Sequence, residues 1–439
     1  MSHNLILNAD SYKASHAAFY PEGSTGQFAY IEARVANEAT CFFGLQMFIR
    51  EYLSTPVTHG DIREAEKLFS AHGVPFNKIG WEIIVDEHNG FLPLLIQGLP
   101  EGSVVPSRTP LVVIETTDPR LFWLASYIET ALQRAIWYPT TIASNGLKAR
   151  LLLESLYAQT SDVPEMAAYA LHDFGARGVT SRESAAIGGV AHLVNFQGTD
   201  NLQALIMARD NYFCRMAGFS IPATEHSVQC AYGRDNQGGY LRRVLDAIPD
   251  GGIVSIVLDG YDIYNDTSMF CNVFGAEIQR RKIKAVIRPD SGDAVEVIPL
   301  ILEILDAYFE STVNSKGYKV LSNVGIIQGD GIDFETLVKL TQVVEQEGYA
   351  AENVVYGSGG GLLQKLNRDT YKFAQKTSAM EINGKWVDTV KDPVTDPGKR
   401  SKGGRLTHPD FVDYYFNGQP YCDDSLEDIR KRARAGVIC

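Results

Sequence analysis

Ile253-Val254-Ser255-Ile256-Val257-Leu258-Asp259-Gly260 is the first of four apolar runs that each stop at a corner rich in glycine and aspartate. The other corners read Ile287-Arg288-Pro289-Asp290-Ser291-Gly292, Ile327-Gln328-Gly329-Asp330-Gly331 and Tyr356-Gly357-Ser358-Gly359-Gly360-Gly361. In parallel α/β architecture the loops after the C-terminal strand ends carry the chemistry, so carboxylates recurring there point at one shared pocket. The expected fold class is α/β, an irregular parallel barrel with an enzyme's site along one rim.

Working outward, short strand-like runs alternate with amphipathic stretches from Ala168 onward, such as Val297 to Phe309 and Phe334 to Glu347, the βα rhythm of a parallel barrel. Helical spacing dominates Leu121 to Trp137 and Leu147 to Tyr157, and the segment before them mixes short strands and turns. A chain of 439 residues suits a barrel of roughly 250 residues with a smaller companion. The expected division is an α+β companion domain over 1–160, the barrel over 161–380, and a C-terminal segment over 381–439 packing back on the companion.

Composition, at 45% hydrophobic and 21% charged, is that of a folded soluble protein. No segment approaches the roughly 20 apolar residues of a membrane span. A net charge of −13 disfavours nucleic acid or an anionic membrane as partner. The start Met1-Ser2-His3-Asn4-Leu5 lacks a basic-then-apolar signal, so the cytoplasm is the expected location. Cys41, Cys214, Cys230, Cys271, Cys422 and Cys439 show no C-x-x-C spacing, which argues against a disulfide framework or a structural zinc site.

In so acidic a chain an anionic ligand must be held locally. The string Lys399-Arg400-Ser401-Lys402 with Arg405, Arg368, Lys376 and Lys391 offers a clamp for pyrophosphate or ATP phosphates, or else a solvated face. Gly357 to Gly361 runs into Leu362-Leu363-Gln364-Lys365, a helix-like start whose amides and dipole suit a phosphate, or else a plain tight turn. Its spacing is neither a dinucleotide fingerprint nor a P-loop. In Leu171-His172-Asp173-Phe174-Gly175-Ala176-Arg177-Gly178 a ring and a guanidinium end a strand. They suit a planar heterocycle and a phosphate, or else a core phenylalanine and a paired arginine. Asn195 to Asp200 ends another strand in a carboxylate, and Gly218 to Ser227 contains the pair Glu225-His226.

These segments, together with Asp10-Ser11-Tyr12-Lys13 and Lys391-Asp392-Pro393-Val394, occur in an order that resembles the nicotinamide phosphoribosyltransferase family of type II phosphoribosyltransferases, from Asn8 to Arg430. The resemblance implies a homodimer with shared active sites that joins nicotinamide to 5-phosphoribosyl 1-pyrophosphate, with Mg²⁺ and with ATP as co-substrate, in NAD salvage. It implies a pyridine ring stacked between Phe174 and Tyr12, the latter from the second subunit, and a carboxamide held by Asp200 and Ser220. A carboxylate at Asp200 accepts from an amide NH₂ and repels nicotinate. Arg177, Arg288 and Asp290 would position the phosphoribosyl group and base, Gly329 and Asp330 the ribose, and Gly359, Gly360 and Arg368 the 5′-phosphate. Arg34, Lys376, Lys391 and Lys399 would face pyrophosphate and ATP phosphates, and no residue is assigned to metal. His226 would be phosphorylated by ATP, oriented by Asp259 or Glu225.

The chain departs from the family's animal members at Ala176, where they carry an aromatic residue, and its C-terminal end looks shorter. The rival readings are a nicotinate phosphoribosyltransferase, discriminated by Asp200, and a non-catalytic nucleotide-binding protein on the same scaffold. Another phosphate-handling barrel enzyme, such as an aldolase, is disfavoured because this chain has no lysine at a strand end of the kind a Schiff base requires.

Overall fold

The computed structural model describes residues 4–396 and 399–436; Met1 to His3, Pro397-Gly398 and Cys439, which entered the sequence reading, lie outside the described residues. Six strands form one wholly parallel sheet: β1 (Leu171–Asp173), β2 (Gly198–Thr199), β3 (Ile253–Val257), β4 (Lys284–Arg288), β5 (Val324–Gln328) and β6 (Val354–Ser358). Their order is β2-β1-β6-β5-β4-β3. The gap between β2 and β3 is closed by an irregular segment. The Phe219 N–H donates to the Gln197 carbonyl (2.7 Å) and the Phe219 carbonyl accepts from Thr199 (3.0 Å). Farther along, the Pro222 carbonyl accepts from Ser255 (2.8 Å) and the Thr224 N–H donates to Ser255 (3.0 Å).

The four apolar runs are β3 to β6, and each corner follows its strand directly. Valine and isoleucine dominate because a parallel sheet is covered on both faces. Ile256, Ile287 and Ile326 are buried in one core with Phe270, Ile301 and Leu340 of the helices Ile263–Arg281, Ala294–Tyr308 and Phe334–Gln346. A second aspartate stands three residues beyond each of Asp259, Asp290 and Asp330 and caps the helix that follows. Asp262 accepts from the amides of Tyr264 and Asn265, Asp293 from Val295, and Asp333 from Thr336. The D-x-x-D spacing thus places one carboxylate at the strand end and one at the helix start.

The chain divides into two units, 1–144 with 210–214 and 367–439, and 145–209 with 215–366. The sequence reading placed its divisions at 160 and 380. Ala374–Ile382 belongs to the first unit because it pairs antiparallel with Ser24–Glu32. That unit's seven-stranded antiparallel sheet runs Lys385–Asp388, Ala374–Ile382, Ser24–Glu32, Pro110–Thr116, Leu94–Gly98, Val412–Phe416, Gln419–Pro420. At the earlier boundary, spacing suggested two helices, whereas Glu129–Thr160 is one helix of 32 residues containing Pro139. Pro139 leaves one turn without its amide donor. The backbone of Gly44 approaches there so closely that a Cβ on it would lie 2.7 Å from the Ala135 carbonyl and 2.5 Å from the proline ring.

Residues 210–214 are anchored in the first unit by a buried polar group. Gln46 Nε2 donates to the Asn211 carbonyl (2.6 Å), and Tyr212 stacks on Phe43 at 5.0 Å. Glu101, fully buried, accepts the amides of Gly44 (3.0 Å) and Gln46 (2.7 Å) on Oε1. Burial pushes its carboxyl up to about 7, although those hydrogen bonds oppose the rise.

Candidate active site

A cavity of about 1020 Å³ opens in the second unit at the corners of the barrel, large enough for a nucleotide-sized ligand. Of the site residues expected from sequence, Phe174, Arg177, Asp200, His226, Arg288, Asp290, Gly329, Asp330, Gly359 and Gly360 all line it. Ser220 joins them through a hydrogen bond from its hydroxyl to Asp200 Oδ1. Asp259 lies behind, its side chain only 2% exposed.

Phe174 is positioned by backbone. Its N–H donates to the Ser358 carbonyl across from β6 (2.9 Å), and its ring lies over Gly357, where a Cβ would fall 2.0 Å from Phe174 Cε2. Sequence reading assigned Gly357 to a phosphate corner; the structure has it clear the seat of the ring. Beneath lies His172, ring centroids 6.0 Å apart, held neutral because burial pushes its imidazole down to about 4 despite the opposing charge of Asp200.

His226 begins the helix His226–Ala231. Its Nε2 is 2.8 Å from Asp259 Oδ1, and its Nδ1 lies 3.8 Å from Asp290 Oδ2. Asp259 Oδ2 accepts the Asp290 amide (3.0 Å), so one buried carboxylate fixes both the imidazole and the next corner. Of the two carboxylates considered as orienters, Asp259 contacts the ring, while Glu225 accepts from Ser227. The fully buried Gln229 ties the His226 helix to the Asp259 corner by accepting the Gly260 amide (3.0 Å). Arg288, at the end of β4, has a buried Nε with no acceptor among the described residues.

The corner Gly357 to Gly361 enters a helix of one turn, Gly360–Leu363. So short a helix carries little dipole, which corrects the expected helix-dipole contribution; what the corner offers is backbone amides. Sequence reasoning gave no role to Lys365, which lines the cavity and helps hold the carboxyl of Asp333 low, after that group's hydrogen bonds from Thr336. Its signal was a cation one turn beyond the glycines. Asp173, Thr224 and Glu225 also line the cavity, while Ala176 stands exposed at it.

Tyr12, Arg34, Arg368, Lys376, Lys391 and Lys399 belong to the first unit. Tyr12 is 56% exposed, with Lys13 Nζ 5.6 Å from its ring. Lys376 lies opposite Tyr30 in the sheet. Burial lowers the pKa of its ammonium, Glu129 opposes this, and the nearby charges of Arg34, Lys391 and Lys13 lower it further, so four cations and one carboxylate, paired with Lys13, share one neighbourhood. Lys399 pairs with Asp396 (3.0 Å) and Arg368 with Asp369 (3.2 Å).

Among the described residues no three His, Cys, Asp or Glu side chains are grouped to hold a metal, and no helix is long and apolar enough to cross a membrane. Asp290 and Asp330 are carboxylates on the cavity wall, and one or two protein carboxylates are what a Mg²⁺ carried on phosphates would need.

Residues 169–421 match the model of the nicotinate phosphoribosyltransferase family, and residues 4–96 that of the nicotinamide phosphoribosyltransferase N-terminal domain. Nicotinamide phosphoribosyltransferase of Xanthomonas campestris is 49% identical over 92% of this chain and 87% of its own. That of Acinetobacter baylyi is 35% identical over 99% of this chain and 94% of its own. Among solved structures, nicotinate-nucleotide pyrophosphorylase from Pyrococcus furiosus superposes with a TM-score of 0.63 at 13% identity, covering 99% of this chain and 95% of that one. Human nicotinic acid phosphoribosyltransferase does so at 0.59 and 14%, covering 98% and 93%. At such identities the likeness establishes the fold alone.

Proposed function

Because the chain belongs to the nicotinamide phosphoribosyltransferase family, we propose that it transfers the phosphoribosyl group of 5-phosphoribosyl 1-pyrophosphate to nicotinamide, giving nicotinamide mononucleotide and pyrophosphate in NAD salvage. The observation that carries this reading is the grouping of Phe174 and Asp200 in the same cavity as Arg288, Asp290 and the glycine corner. A flat heteroaromatic amide and a phosphorylated sugar each find their chemistry there.

The ring nitrogen of nicotinamide attacks C1 of the ribose while the bond to pyrophosphate breaks. Positive charge grows on the sugar and negative charge on the leaving group. Phe174 stacks the pyridine, and Asp200 accepts from its carboxamide NH₂. Asp290 faces the developing cation, while Arg177, Arg288 and Lys365 supply the positive charge that phosphates require. Mg²⁺, when bound, neutralises the departing pyrophosphate, with Asp290 and Asp330 as the groups to hold it. Asp200 favours nicotinamide over nicotinate because an anionic ring substituent would meet a carboxylate.

ATP stimulation is proposed to run through His226. Asp259 holds Nε2, and Nδ1, which lies 3.8 Å from Asp290 Oδ2 and beyond hydrogen-bonding distance, is the nitrogen proposed to take a phosphoryl group. The family resemblance adds the working unit, a homodimer in which Tyr12 of the partner subunit completes the stack. Cations around Lys376 would serve the ATP or pyrophosphate. The test is mononucleotide formation from nicotinamide and from nicotinic acid in parallel, each with and without ATP. Product from nicotinamide, raised by ATP, is expected. Product from nicotinic acid alone overturns the Asp200 argument, and none from either substrate leaves a binding protein.

A further inference from the structure

Between the pyridine-stacking corner and the amide-accepting corner lies one fully buried carboxylate, Asp173. Its Oδ1 accepts the Gly175 amide at 2.7 Å, and its Oδ2 accepts Asn201 Nδ2 at 3.0 Å. Its main-chain carbonyl accepts the Asp200 amide at 3.1 Å. Gly175 directly follows Phe174, and Asn201 directly follows Asp200, so each arm of the carboxylate ends one residue from a group that faces the ligand.

The surroundings hold this bridge in one place. Asn201 donates its second amide hydrogen to the Ala185 carbonyl (2.8 Å), in the helix Arg182–His192. Gly189 of that helix leaves the room, for a Cβ there would lie 2.4 Å from Asn201 Nδ2 and 3.0 Å from Asp173 Oδ2. A buried carboxylate is a costly way to fill space. Burial raises its pKa, and the neighbouring charge of Asp200 adds to the rise. A residue needed only for packing would be apolar, whereas a carboxylate offers two acceptors at a fixed separation.

Resting on the function proposed above, we infer that Asp173 is a positioning residue. It sets the distance between the stacking ring of Phe174 and the carboxylate of Asp200, and so sets both the affinity for the pyridine and the preference for an amide over an acid. Although Asp173 borders the cavity, both its carboxylate oxygens are engaged by Gly175 and Asn201, and it acts through them. Asn201 is the lever on the Asp200 side alone.

The experiment uses the full-length enzyme with Asp173→Asn and Asn201→Ala, measuring steady-state kinetics and hydrogen–deuterium exchange. In Asp173→Asn an NH₂ replaces one acceptor and faces a donor. Losing a hydrogen bond to a charged group corresponds to a rise of about tenfold in KM for nicotinamide. KM for 5-phosphoribosyl 1-pyrophosphate is expected to rise less, by about two- to threefold, since Arg288, Asp330 and Gly359 stand on other strands and only Arg177 shares this corner. In Asn201→Ala the Gly175 arm remains, so the nicotinamide-to-nicotinate ratio of kcat/KM falls while KM for nicotinamide changes less. A variant that raises both KM values to the same extent, or an unchanged ratio in Asn201→Ala, overturns the inference. Exchange decides independently of turnover. Peptides covering 174–178 and 199–203 should lose protection together in Asp173→Asn, and loss in only one or in neither refutes the bridge. A wild-type enzyme that makes no mononucleotide would instead refute the function, and the exchange result would still stand.

Discussion

Replacing Glu101 with glutamine should stabilise the first unit at neutral pH and leave it nearly unchanged in acid. In the folded chain burial raises this carboxyl from the ordinary 4.5 to about 7. Below pH 4.5 folded and unfolded states are both protonated. Between 4.5 and 7 the unfolded chain releases the proton while the folded one keeps it, so the unfolded state binds fewer protons and stability falls as pH rises. The gap of about 2.5 units at 1.36 kcal/mol each makes the loss about 3 kcal/mol by pH 8. Glutamine retains an oxygen for the amides of Gly44 and Gln46 and has no proton to lose. All four tryptophans, Trp81, Trp123, Trp137 and Trp386, lie in the first unit, so their fluorescence in urea reports its unfolding specifically. The difference between variant and wild type should grow by roughly 2 to 3 kcal/mol between pH 5 and pH 8. Two pH profiles that run parallel would refute the reasoning, because Glu101 would then titrate alike in both states.

Three further outcomes are expected at the cavity. Gly357→Ala forces the Phe174 ring from its seat, since the new Cβ would overlap it at 2.0 Å; KM for nicotinamide should rise by up to about tenfold with little change for the phosphoribosyl donor, on the order of a lost stacking contact. Asp200→Ala should cut the nicotinamide-to-nicotinate ratio of kcat/KM by about tenfold or more, as expected where charge repulsion supplied the discrimination; an unchanged ratio in competition assays would move selection elsewhere. Asp259→Ala removes the acceptors of both His226 and the Asp290 amide; ATP-stimulated turnover should fall about 100-fold, and acid-labile phosphate on the protein should fall with it, so undiminished phosphate would contradict the assigned orientation.

The barrel was legible because its signals are local. Each apolar run ends within a few residues of its aspartate and glycine, and the second aspartate of each D-x-x-D caps the next helix. Phe174 and Asp200 stand out in the sequence as a ring and a carboxylate at strand ends, whereas the role of His226 comes from the family resemblance alone. Asp173 does not stand out, because a buried bridging carboxylate and an exposed one read alike in sequence, and its partner Asn201 lies 28 residues away. The same holds for residues 210–214, whose membership of the first unit depends on Gln46 and on Phe43. Pro139 and Gly146 look like helix breakers, yet they sit inside Glu129–Thr160, where Gly44 packs against the proline and the Asn195 side chain against Gly146.

The irregular closure of the barrel sets where the molecule yields first. Each of the six strands is knitted to a neighbour by a ladder, whereas the stave from Phe219 to Thr224 has one isolated bridge at either side and a side-chain tie in which Thr224 Oγ1 accepts the Val257 amide (2.9 Å). Breathing is cheapest where the fewest backbone bonds must break at once. That stave bears Ser220 and leads into His226, so the hydroxyl beside the amide acceptor and the nitrogen proposed to carry phosphate ride on the barrel's most compliant seam. The catalytic rim can flex there while the stiff ladders that hold Phe174, Arg288 and Asp290 keep time for the reaction.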